Sequence, residues 1–170
     1  MSKKTNLSIK WITHTAILLA ILIVFQMLGL PQYITGPIVN FILLWAVMSN
    51  GILSGVLIGL ISPLIAFSRG ILPAPLGPMI PFIILGNIVL VIVFGLFRKK
   101  NSNLLFTTLG IVIGSILKYL ILVNAVKFIV SVPILIAQAM GFPQLLTALI
   151  GGVLLLVIEI VWKKSQKKHN

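Results

Sequence analysis

The chain has 170 residues, 59% of them hydrophobic and 8% charged, too few polar side chains to cover a water-soluble globule. Lipid therefore has to replace water over most of the exterior, and at about 20 apolar residues per crossing the length admits about six crossings and no separate soluble domain. The net charge of +12 would suit nucleic-acid binding, but ten of the 13 basic residues sit in three clusters flanking apolar runs, as cytoplasmic loops do, and that excludes a nucleic-acid surface.

Lys3, Lys4 and Lys10 precede the first apolar run, residues 11–30, which is long and lacks a small-x-small cleavage site, so it reads as a retained helix rather than a signal peptide. The second run covers 36–49 and the third 51–67, both short. A fourth, 78–97, ends at Arg98, Lys99 and Lys100, and a fifth covers 104–124. Residues 125–143 are apolar but interrupted by Lys127 and Pro133. A crossing there would put the last basic cluster on the wrong side, so the segment is expected to be a partly buried outer loop. The sixth run, 144–162, leads into Lys163, Lys164, Lys167 and Lys168. The expected fold is an all-α, multi-pass protein of the cytoplasmic membrane: one domain over 1–170, a bundle of about six transmembrane helices, both termini cytoplasmic. Three outer segments follow, 29–36, 68–78 and 125–143, all rich in Gly and Pro.

Small residues at four-residue spacing let helix backbones approach closely in lipid. Such stripes occur at Ala16 and Ala20, at Gly51, Gly55 and Gly59, and at Gly110 and Gly114, and ordinary packing within the bundle accounts for them. Lys118 continues the last stripe at the same spacing, so it shares that inward face. An ionisable residue inside a membrane is costly without a polar cavity or partner, which makes Lys118 a functional candidate against the alternative of snorkelling outward. Arg69 and Lys127 are the other cations outside the basic clusters. On an unbroken helix Lys127 and Lys118 would point in opposite directions, nine steps of 100° apart, so both can line one site only if the helix breaks between them.

Amides gather toward the outer half at Gln26, Asn40, Asn87, Asn124 and Gln144, able to donate and accept without adding charge or, equally, to join helices by hydrogen bonds. The candidate substrate-binding set is Asn40, Arg69, Asn87, Lys118, Asn124, Lys127 and Gln144. Glu159, the one acidic residue, stands four before Lys163 and reads as a helical ion pair. A single carboxylate excludes a paired-carboxylate mechanism, and the lack of cysteine excludes thiol chemistry and thiolate metal sites. His14 and His169 read as structural or incidental. With no NTPase, hydrolase or zinc motif either, no enzyme activity, metal or cofactor is expected.

These features together resemble the substrate-binding S component of an energy-coupling factor (ECF) transporter. The likeness rests on size and six-helix topology, on Ala16-Ile-Leu-Leu-Ala20, and on Pro81-Phe-Ile-Ile-Leu-Gly-Asn87 with Phe97-Arg-Lys-Lys100. Gly114-Ser-Ile-Leu-Lys118 and Gln144-Leu-Leu-Thr-Ala-Leu-Ile-Gly-Gly152 extend it over nearly the whole chain. The resemblance implies docking through Ala16 and Ala20 on a shared transmembrane T component, with two partner subunits that bind and hydrolyse ATP. It also implies capture of a vitamin or related micronutrient beneath the three outer segments, and toppling in the membrane to carry it inward. Up to three cations and no carboxylate in the outer half favour an anionic substrate. A membrane scaffold or assembly subunit that binds no solute is the alternative.

Overall fold

The computed structural model describes the backbone of residues 2–100 and 103–168 and the side chains of 8–100 and 103–165. The side chains of Lys3, Lys4, Lys167 and Lys168, and all of His169, lie outside the described residues. The chain runs through α1 (Ser2–Met27), α2 (Gln32–Asn50), α3 (Ile52–Ser68), a 3-10 turn (Ala74–Met79) leading straight into α4 (Ile80–Lys100), α5 (Leu104–Phe128), the short α6 (Ile134–Ala139) and α7 (Phe142–Lys168). No strand occurs among the described residues. Among the described residues five spans are long and apolar enough to cross a membrane: α1, α2, the turn with α4, α5, and α6 with α7; α3 is apolar but shorter. The protein is thus a multi-pass helical membrane protein with six principal helices.

Local chemistry sets the boundaries. Pro31 lacks an N–H and suits a helix entrance; its carbonyl accepts from the Ile34 and Thr35 amides at 2.9 and 3.0 Å, so α2 begins four residues before the expected 36. α2 and α3 are separated by Gly51 alone, whose φ of +91° reverses the chain in a conformation that L side chains rarely adopt. α5 continues through Asn124 to Phe128, since no Gly or Pro interrupts the helix between Asn124 and Ile129, and the Asn124 side-chain amide donates to the Leu120 carbonyl at 2.8 Å. Residues 125–143 therefore comprise the last turn of α5, an extended link, α6 and the start of α7 rather than one loop.

The main apolar core joins Leu22 of α1, Leu43 and Leu44 of α2, Ile58 of α3, Leu90 and Phe94 of α4, Ile111 of α5 and Leu155 of α7. A smaller cluster of Leu76, Met79, Leu122, Ala125 and Met140 ties the 3-10 turn, α5 and the α6–α7 junction together at one end. Outward faces remain apolar, as in Ile12, Leu64, Leu105 and Val157, which suits contact with acyl chains. Glycines bring helix pairs into backbone contact. A Cβ on Gly114 would lie 3.1 Å from the Leu90 carbonyl oxygen, and one on Gly151 only 2.7 Å from that of Pro37.

The opposite end of the bundle holds the polar helix termini. Glu159 accepts from Arg98 Nη1 at 3.0 Å and pairs with Lys163 Nζ at 2.7 Å, and Arg98 also donates to Thr107 Oγ1 at 3.2 Å, linking α4, α5 and α7. Asn50 links α1 to α2: its carbonyl accepts from Trp11 Nε1 at 2.9 Å, and its side chain reaches the Trp11 carbonyl and His14 Nδ1.

Candidate functional site

Lys118 lies one turn beyond Gly114 and two beyond Gly110, on the seam where α5 meets α4. Its stem crosses Gly86 of α4, where a Cβ would come within 3.1 Å of Lys118 Cγ. The side chain is 3% exposed, and the ammonium donates to Asn40 Oδ1 of α2 at 2.7 Å and to Asn87 Oδ1 of α4 at 2.8 Å. Each asparagine is oriented by its other end. Asn40 Nδ2 donates to the Gly36 carbonyl at 2.8 Å and Asn87 Nδ2 to that of Gly59 at 3.3 Å, so both amides turn their oxygens to the lysine. Two helices besides its own thus hold the cation with neutral acceptors.

Above this group lies a cavity of about 220 Å³, just below the ~300–1,000 Å³ of usual small-molecule sites. Gly29 and Leu30 from the α1–α2 link, Ile71, Leu72 and Leu76 from the α3–α4 connection, and Met140 before α7 line it. Gln26, Thr35, Ser62 and Gln144 add polar groups from α1, α2, α3 and α7. Lys118 is the one charged residue lining it.

Of the seven residues expected from sequence, Asn40, Asn87, Lys118 and Gln144 line this cavity. Arg69, Asn124 and Lys127 do not; all three are exposed, Lys127 with its ammonium 5.1 Å from the Phe128 ring centroid. Because α5 is unbroken past Asn124, Lys118 and Lys127 diverge, as the nine-residue spacing requires. Ala16 and Ala20 are both exposed, and Ala16 lines a groove between α1 and α3 together with Leu57 and Ile61.

Gln26, Thr35 and Ser62 were not in that set. Gln26 is 8% exposed and Ser62 wholly buried, and neither Gln26 Oε1 nor Ser62 Oγ has a hydrogen-bond partner among the described residues. A signal existed for Gln26. Thr15, Leu18, Leu22 and Gln26 are the buried positions of α1 at three- and four-residue steps, one face of a helix that is otherwise exposed.

No carboxylate, histidine or tyrosine lines the cavity, so the lysine has no acid–base partner there, and no group of three metal-ligating side chains occurs among the described residues. The arrangement is suited to holding a polar solute. Comparison with known proteins returns no matching family model, no matching curated protein and no matching solved structure.

Proposed function

We propose that this protein is the substrate-binding S component of an ECF-type importer. It captures a vitamin or related micronutrient at the outer face of the cytoplasmic membrane, and partner subunits drive uptake with ATP. The observation that carries the reading is the partly open cavity lined by three connecting segments, with a buried cation whose partners are both neutral. A scaffold gains nothing from an uncompensated charge inside the bilayer, where each such group is costly, whereas an anionic solute would supply the missing counter-charge. On this reading the basic end faces the cytoplasm, consistent with Arg98, Lys99, Lys100, Lys163 and Lys164 near it. The energy source is external: a T component and two ATP-binding subunits, met by α1 through Ala16 and Ala20.

The test is co-expression with a T component and two ATP-binding subunits, followed by affinity purification and mass spectrometry of retained small molecules. A stable complex carrying a metabolite is expected. Replacing Ala16 and Ala20 by Trp should abolish the complex while the isolated chain keeps its ligand. If no ATPase module associates and no small molecule is retained, the scaffold reading replaces this one.

A further inference from the structure

We infer that the ligand is a compact organic monocarboxylate whose acid group seats on Lys118 and which carries an uncharged N–H or O–H donor that meets Gln26 Oε1. The inference rests on the proposal that the cavity is a solute site, and it fixes the chemistry of that solute.

Charge counting sets the number of acid groups. One cation and no carboxylate line the cavity, so a monoanion brings it to neutrality, a dianion leaves one negative charge buried, a zwitterion leaves one positive charge and a cation leaves two. The asparagine oxygens already take two of the three N–H bonds an ammonium can donate, which leaves capacity for a single carboxylate oxygen. The second pole comes from α1. A buried amide oxygen without a partner requires a donor, and Gln26 Oε1 is such an atom, on the cavity wall and on a different helix from Lys118. Ser62 Oγ, also buried without a partner and lining the same space, can give or accept one further bond. Val39, Ile71, Leu72 and Ile83 are apolar lining residues, so the body joining the two poles is hydrocarbon-like.

The test uses the purified full chain in lipid nanodiscs and isothermal titration with straight-chain ω-hydroxy acids, butyric to octanoic. Parent acids, ω-amino acids, dicarboxylates and diols of matched length are the comparisons. At the best-fitting length the hydroxy acid should bind roughly tenfold tighter than its parent acid, one hydrogen bond to an otherwise unpaired acceptor, and should outbind the amino acid, diacid and diol. Gln26→Leu should erase the preference for the hydroxyl while acid binding persists; Lys118→Met should abolish acid binding. Binding of no acid at any length, equal binding of a diol, diacid or amino acid, or an undiminished hydroxyl preference in Gln26→Leu overturns the inference. The two proposals fail separately: a neutral or cationic metabolite retained in an ATPase complex refutes this one alone, and acid binding with no ATPase partner refutes the importer alone.

Discussion

Asn87→Asp is the sharpest perturbation of the site, since it changes one atom and supplies the lysine with a counter-charge of its own. Asn87 Oδ1 sits 2.8 Å from Lys118 Nζ, while the amide nitrogen it would lose makes only a long 3.3 Å bond to the Gly59 carbonyl. At an effective dielectric of ~20, opposite unit charges at that separation attract by about 6 kcal/mol, and desolvation of the new carboxylate offsets much of that. Thermal stability should therefore change little. The anionic ligand, however, would face a neutralised ammonium and a new negative charge. Losing one charge-assisted hydrogen bond, ~1.5–3 kcal/mol, predicts affinity weaker by roughly ten- to 150-fold. Titration of the best-binding acid into wild-type and variant nanodiscs, with a melting curve on each, measures both quantities. An Asn87→Asp protein that melts normally and binds the acid as tightly as wild type would refute the view that an uncompensated Lys118 holds it.

Gly151→Ala forces a Cβ to within 2.7 Å of the Pro37 carbonyl oxygen and 2.8 Å of the Phe41 amide nitrogen, both backbone atoms of α2, so the helices must part. A loss of ~1–3 kcal/mol is expected in reversible unfolding, with weaker ligand binding because Asn40 lies in that contact. Glu159→Gln removes the charge between Arg98 and Lys163, whose side chains are 21% and 52% exposed. Water access tempers the loss to ~1–2 kcal/mol, read as a lower melting temperature with ligand affinity at the far end unchanged. Lys127→Met should leave acid affinity within about twofold of wild type, because that side chain is exposed and directed away from Lys118.

The helices were legible because lipid imposes one rule everywhere: the run at 104–124 falls within α5, and that at 78–97 spans the end of the 3-10 turn and most of α4. The inward face of Lys118 was legible too, since Gly110 and Gly114 mark a close helix seam and four-residue spacing carries Lys118 onto it. What could not be read was anything set by which helix stands opposite. Asn40, Asn87 and Lys118 lie on three helices, and only their assembly turns two amide oxygens toward one ammonium. Asn124 is the same residue type and was expected in the same outer half, yet it satisfies its amide within its own helix and stays exposed. Gln26, named among the outer amides but left out of the candidate set, belongs to α1, whose apolar residues surround it on nearly every side, so only its step from Leu22 and Leu18 picks out the face that meets the bundle.

The two ends of the bundle solve the problem of a buried charge in opposite ways. Among the described residues the basic end answers its buried charge with opposite ones: Glu159, 4% exposed in its side chain, pairs with Arg98 and Lys163, which fastens α4 to α7. At the other end a cation more deeply buried than Arg98 is fixed by two amides that orient it without neutralising it. Had either been an aspartate, Lys118 would be a structural tie like Arg98, satisfied before any solute arrived. Neutral acceptors instead keep the ammonium in place and leave its charge available. On the proposed reading, the cost of burying it is recovered when an anionic solute enters, and affinity for an anion would follow from how the lysine is held.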